Sequence, residues 1–105
     1  MIPGFYYDPK HGNCLRRIIK RDNDRYYIIG VYGDDEAPHT YGKWTAEIQV
    51  ESRTASTWNL RVDFLGKPIK RDRFLTAKWS TLTHNIKWQD GNTWLKLYHH
   101  GAQLC

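Results

Sequence analysis

Apolar and polar residues alternate along much of the chain, and this alternation predicts β-strands rather than helices. In residues 44–51 the apolar side chains occupy even positions and the polar ones odd positions, and residues 57–64 repeat the pattern. A period of two places one face of a strand against a core and the other in solvent. No window keeps the apolar spacing of a helix over several turns. The chain is therefore expected to be all-β.

Turn signals divide the chain into short strands, since Asp, Asn, Gly and Pro cluster between the apolar segments. The sequence predicts seven or eight strands, near residues 5–7, 14–20, 25–32, 44–51, 57–64, 73–79, 84–88 and 93–98. Regularly spaced short strands without helices favour a small antiparallel β-barrel or a flattened β-sandwich. A length of 105 residues fits one such domain, residues 1–105.

The strand predicted at residues 25–32 is apolar on both faces, so we expect it to be central or covered on both sides. Residues 3–7 or a partner chain would supply that cover. A basic run precedes it, formed by Arg16, Arg17, Lys20, Arg21 and Arg25. Such a run fits a nucleic-acid patch or, as we favour, a charged edge strand that resists pairing with other chains.

The last hairpin decides which side chains face outward near the end of the chain. A two-residue type I′ turn at Asp90-Gly91 pairs Lys87 with Trp94. The inward set is then Ile86, Trp88, Leu95 and Leu97, and the outward set is Lys87, Trp94, Lys96 and Tyr98. A register shift of a single residue would exchange the two sets.

The other tryptophans fall on inward positions and are expected to fill the core. They are Trp44, Trp58, Trp79 and Trp88. Aromatic side chains dominate the burial energetics of a small core. The same rings would alternatively line a pocket in a barrel that holds a small ligand, as in the lipocalin and avidin type.

The positive charge is concentrated in one half of the chain. Residues 1–50 carry seven Lys and Arg against seven Asp and Glu, whereas residues 51–105 carry nine against four. The formal net charge of +5 therefore belongs to the second half. Such an excess favours an anionic partner, although an ordinary soluble domain can carry this charge without binding one.

Cations and aromatic rings of this half define a candidate binding face for nucleic acid or an acidic protein surface. It comprises Arg61, Lys67, Lys70, Arg71, Arg73, Lys78, Lys87, Trp94, Lys96 and Tyr98. The blander interpretation of Lys87 and Trp94 is a cross-strand cation–π pair. We expect a non-catalytic binding or assembly module. The alternatives are a structural subunit of a larger assembly such as a virion or a homo-oligomer and, third, a small-ligand barrel.

Signatures of catalysis, metal binding and membrane insertion are missing from the sequence. There is no nucleophile elbow, P-loop or dinucleotide-binding motif, so we expect no enzyme activity and no cofactor. The five histidines lack the paired spacing of zinc ligands, so no metal site is expected. No secretory signal or membrane-spanning stretch is visible, which predicts an intracellular protein with reduced thiols at Cys14 and Cys105.

Three segments carry a resemblance to a known group of proteins. They are Tyr7-Asp8-Pro9-Lys10-His11-Gly12, Val62-Asp63-Phe64-Leu65-Gly66-Lys67, and the run IKWQDGNTWLK from Ile86 to Lys96. In this order they resemble small β-rich proteins of algae and large algal viruses, a group with no assigned activity. The resemblance implies a small all-β domain of algal or viral source and transfers no catalytic residue.

Overall fold

Eight antiparallel strands close into a barrel in this computed structural model, which describes residues 1–11, 15–32, 42–66 and 73–97. Each strand pairs with its neighbours in sequence and β1 pairs with β8, so the barrel has an up-and-down order. The strands are β1 (Gly4–Tyr7), β2 (Leu15–Lys20), β3 (Arg25–Tyr32), β4 (Gly42–Arg53), β5 (Thr57–Gly66), β6 (Phe74–Ser80), β7 (Ile86–Trp88) and β8 (Thr93–Lys96). The prediction of a small antiparallel all-β barrel is confirmed.

Alternate side chains of the strands point into the barrel and form its core. In β4 the even residues from Trp44 to Val50 are buried and the odd ones between them are exposed, as a period of two requires. Trp58 is only partly buried and packs against the core from one side. The buried apolar set is Ile2, Tyr6, Ile18, Tyr26, Ile28, Trp44, Ala46, Ile48, Val50, Leu60, Val62, Phe64, Ala77, Trp79, Ile86, Trp88 and Trp94.

The barrel has two different ends, which we name lower and upper. The odd-numbered strands begin at the lower end and the even-numbered strands begin at the upper end. At the lower end Ile2 is fully buried, and the hydroxyl of Tyr6 donates to its carbonyl oxygen over 2.6 Å. The Nζ of Lys96 donates to the carbonyl oxygens of Met1 (2.7 Å) and Pro3 (2.5 Å). These contacts hold residues 1–3 against the lower end.

The last hairpin differs from the sequence-based expectation by one residue. The amide of Trp88 donates to the carbonyl of Asn92 (2.8 Å), and that of Gly91 donates to the carbonyl of Trp88 (3.0 Å). The loop therefore has three residues, and Lys87 pairs with Thr93 instead of Trp94. Gly91, at φ 91°, takes the left-handed position that ends such a loop. The predicted two-residue turn is wrong.

The shifted register reverses the faces of β8. Trp94 is 4% exposed and packs in the core, whereas Leu95 is 41% exposed. The predicted outward position of Trp94 and inward position of Leu95 are both wrong. The physical reason is that burying an indole removes more apolar surface from water than burying a leucine.

Two expectations about the first strands are also wrong. Residues 4–7 form β1 between β2 and β8, so they do not cover the outer face of β3. That face keeps Tyr27 and Ile29 partly exposed. The basic strand β2 pairs on both sides and is not an edge, and its Arg16 is buried inside the barrel.

Candidate functional site

Three cations lie side by side on the outer surface of β5, β6 and β7. The sequence places Arg61, Lys78 and Lys87 on polar positions of their strands, and all three side chains are exposed. Arg61 pairs with Thr76, which is two residues from Lys78 on the same face of β6. Because neighbouring strands are about 4.8 Å apart, these charges share one continuous surface. We name Arg61, Lys78 and Lys87 the basic face.

Two of these cations are direct cross-strand neighbours. Lys78 of β6 and Lys87 of β7 are opposite each other in the register. Like charges at such positions repel, which lowers the free energy of unfolding slightly. An anion between the two ammonium groups would relieve that repulsion. The sequence-based interpretation of Lys87 as the partner of Trp94 is wrong, since Lys87 pairs with Thr93 of β8 and Trp94 is buried inside the barrel.

An exposed aromatic ring extends this surface toward the upper end. Phe74, at the start of β6, is 40% exposed. The guanidinium carbons of Arg61 and Arg73 lie 4.2 and 4.8 Å from its ring centroid. Arg73 also donates two hydrogen bonds to Asp63, at 2.9 and 3.0 Å, which raise the pKa of Arg73. Stacked guanidinium and phenyl groups keep one side chain aligned with the next.

Three arginines at the lower ends of β2, β3 and β4 have acidic partners instead. Arg21 lies 2.7 Å from Glu47, and Arg25 lies 2.9 Å from Asp22. Arg53 reaches Asp24 over 2.8 Å. No ion pair joins any member of the basic face in the described part of the chain. The charge of the basic face is therefore not balanced by ion pairs within the described residues.

Two predicted members of the binding face lie elsewhere. Trp94 is inside the barrel, so its ring offers no outer stacking surface. Lys96 is on the same side of β8 as Trp94, and its ammonium group is 5.0 Å from the ring centroid of Tyr6 at the lower end. Burial lowers the pKa of Lys96. Lys67, Lys70, Arg71 and Tyr98 lie outside the described residues.

Sequence reasoning missed two residues that the structure makes notable. Phe74 shares its face of β6 with Thr76 and Lys78, so the alternation of residues 75–79 is the signal that could have placed its ring outside. Arg16 lies in a segment with two arginines followed by two isoleucines, so alternation could not assign its face. Among the described residues, no group of three or more His, Cys, Asp or Glu side chains comes together.

The fold and the basic face define the class of protein: an up-and-down eight-stranded barrel that carries three exposed cations on neighbouring strands, β5, β6 and β7. None of the family models, curated proteins or solved structures compared with this chain matches it.

Proposed function

We propose that the basic face binds nucleic acid through the phosphate backbone and that the protein is a non-catalytic binding module. The observation that carries this proposal is the opposed pair Lys78 and Lys87, which lies beside Arg61 without any acidic partner among the described residues. Neutralising phosphates releases condensed counterions, which supplies affinity without sequence readout. Such a partner would place the protein inside a cell or a virion.

Nucleic acid is favoured over an acidic protein because of the ring beside the cations. Phe74 and its two arginines provide flat groups next to point charges. Single-stranded nucleic acid offers bases that stack on such groups and phosphates that pair with lysine. An acidic protein surface would use the charges but would have no need of the ring.

The test compares two triple variants of equal net charge. Arg61→Gln, Lys78→Gln and Lys87→Gln remove the basic face. Arg21→Gln, Arg25→Gln and Arg53→Gln form the matched control, because they remove three arginines that already have acidic partners. Binding of a fluorescein-labelled single-stranded DNA of mixed sequence is measured by anisotropy over a range of salt concentrations.

The wild type is expected to bind at low salt with a steep salt dependence. Each phosphate contact contributes about 0.7 to the slope of log K against log salt, so the basic-face variant should lose about two units of slope. The control should keep most of both affinity and slope. Equal losses of affinity and slope in the two variants would mean that net charge, and not the basic face, determines binding. The proposal would also be overturned if the protein did not bind DNA at low salt. The same holds if it bound polyglutamate, an acidic polypeptide measured in the same way, but not DNA.

A further inference from the structure

A buried guanidinium inside the barrel has donor groups for which the described residues offer no hydrogen-bond acceptor. The side chain of Arg16 is 3% exposed, and its Nε and Nη1 have no hydrogen-bond partner among the described residues. Its nearest carboxylate oxygen, Oδ2 of Asp8, lies 3.6 Å from Nη2, which is longer than a hydrogen bond. Arginine is always charged and acts only as a donor, so these atoms require acceptors.

The carboxylate of Asp8 is oriented by other groups. Its Oδ1 accepts from the side-chain amide of Asn92 and from the backbone amide of Lys10, each over 3.0 Å. Asp8 therefore balances the charge of Arg16 without supplying its hydrogen bonds. Buried polar groups without partners are rare in proteins, and each one that occurs needs an explanation.

Aromatic rings enclose the guanidinium on two sides. Its carbon lies 5.2 Å from the ring centroid of Trp44 and 5.7 Å from that of Trp94. Further contacts complete a layer around the barrel, with ring centroids of Trp44 and Phe64 at 6.0 Å, Phe64 and Trp88 at 5.5 Å, and Trp88 and Trp94 at 4.8 Å. Most of these residues lie close to the upper ends of their strands. We name Arg16 and these four rings the upper layer.

The other buried polar atoms without a hydrogen-bond partner are also donors. In the described part of the chain, every buried side-chain polar atom without a partner is a donor: Nε and Nη1 of Arg16 and the indole nitrogens of Trp79 and Trp88. Two of these three side chains belong to the upper layer. A layer with open donors, aromatic walls and one cation matches a small molecule that has an oxyanion on a flat or apolar body.

We propose that the upper layer is a binding site for a small oxyanion, carboxylate or phosphate, which accepts hydrogen bonds from the Arg16 guanidinium. Nε–H with Nη2–H forms one edge of that group and Nη1–H with Nη2–H forms the other, and each edge has an open donor. The apolar remainder of the ligand would pack on Trp44 and Trp94. The site is separate from the basic face and does not depend on it.

The test uses four probes at constant ionic strength: benzoate, its neutral counterpart benzamide, inorganic phosphate and chloride. The readouts are the nitrogen–proton signals of Arg16 Nε and Trp88 Nε1 by NMR, together with the thermal unfolding midpoint. We expect saturable shifts of both signals and a raised midpoint with benzoate or phosphate. The stronger of these two probes identifies the ligand as a carboxylate or a phosphate.

Two variants separate the buried site from other effects. Arg16→Met keeps length and apolar packing, and it should abolish the response. Arg16→Lys keeps the charge but loses the planar fork, so its affinity should fall about tenfold or more. If Arg16→Met does not fold, the affinity of Arg16→Lys still shows whether the guanidinium binds the anion. The variant that lacks the basic face should respond like the wild type.

Several outcomes would overturn the proposal. They are the absence of a saturable shift with benzoate and phosphate, an equal response to benzamide or to chloride, and an unchanged affinity in Arg16→Lys. Loss of the response in the basic-face variant would assign the anion to the outer surface instead. The nucleic-acid proposal can fail independently, because its variants leave Arg16 in place.

Discussion

The close contact between Gly30 and Trp44 determines how one of the largest core side chains is placed. These residues are directly opposite each other in β3 and β4. A Cβ atom at Gly30 would lie 2.3 Å from Cε2 and Cζ2 of the indole, a distance that real Cβ atoms do not adopt. The ring therefore packs directly on the backbone of β3, in the space that only glycine leaves open.

Gly30→Ala is expected to lower the free energy of unfolding by about 1–3 kcal/mol, because the added methyl group displaces Trp44. The measurement is urea unfolding. In a Trp44→Leu background, which removes the contacting indole atoms, the cost of Gly30→Ala should be smaller. Gly91→Ala is the control: its φ is 91° and nothing lies within 4 Å of its Cβ position, so its cost should not depend on residue 44. Additive effects of Gly30→Ala and Trp44→Leu would contradict this account.

We expect His84 to make the folding stability of the protein sensitive to mild acid. Its ring stacks on Trp79, with centroids 5.2 Å apart and planes 7° apart. Burial of the ring lowers the pKa of His84, and the positive charges of the amino terminus and Lys96 lower it further. The unfolded chain therefore binds more protons than the folded chain as the pH falls from about 6.5 toward the lowered pKa. Stability that is present above pH 6.5 is lost over that window.

Removal of the His84 imidazole should make the free energy of unfolding depend less on pH in the acidic range. His84 has a φ of 63°, so His84→Asn is the suitable variant because asparagine tolerates the left-handed region. We expect the wild type to lose more of its urea midpoint than His84→Asn between about pH 7.5 and pH 5. All other ionisable groups are the same in both proteins, so the comparison isolates the contribution of His84. Equal losses would show that the folded state does not shift the pKa of His84.

At the scale of the strand, the β7–β8 hairpin shows that a loop length decides which side chains are buried. The dipeptide Asp90-Gly91 is compatible with both a two-residue and a three-residue loop. Only the three-residue loop turns Trp94 inward, and the register then applies to all of β8. The choice is made by packing across the barrel and not by the turn residues.

Alanine substitutions at two adjacent residues test this register. Trp94→Ala should lower the free energy of unfolding by about 3–5 kcal/mol, because it removes a buried indole. Leu95→Ala should cost less than about 1 kcal/mol, since that residue is 41% exposed and lies outside the core. Urea unfolding of both variants gives the comparison. A larger loss of unfolding free energy in Leu95→Ala than in Trp94→Ala would contradict the observed register and support the two-residue turn.

The strands were predictable from the sequence because their evidence is local. Residues 44–50 and 57–64 alternate without interruption, so existence, type and approximate bounds followed from period two alone. The faces of β2 and β8 were not predictable in this way. β2 lacks alternation at Arg16 to Ile19, and β8 depends on a register that distant side chains select. The basic face could be predicted because its residues are charged and occupy polar positions of their strands. The upper layer could not, because its members come from five strands and are brought together only by the fold.

At the scale of the whole molecule, the barrel is closed by a short contact between its first and last strands. β1 and β8 share only two register pairs, Tyr6 with Lys96 and Tyr7 with Leu95, whereas β3 and β4 share eight. A hydrogen bond from the amide of Leu97 to the carbonyl of Phe5, at 2.9 Å, extends this contact. The bonds from Lys96 Nζ to residues 1–3 support it from the lower end.

Native-state hydrogen exchange should therefore be uneven around the barrel. We expect amides at the β1–β8 contact to exchange by local opening, well before those between β3 and β4. Lys96→Met, which removes the Nζ donor, should speed exchange at β1 and leave that of β4 unchanged. Equal protection of the two strand pairs in the wild type would contradict this prediction.

The closure of the sheet also limits how this protein can meet other molecules. Each of the eight described strands is hydrogen-bonded on both sides, so this part of the chain presents no free strand edge. Many proteins capture peptides, or copies of themselves, by adding a strand to such an edge. A partner of the intact barrel must instead be recognised through side chains. Strand addition becomes available when β1 and β8 separate, which would expose two edges at once.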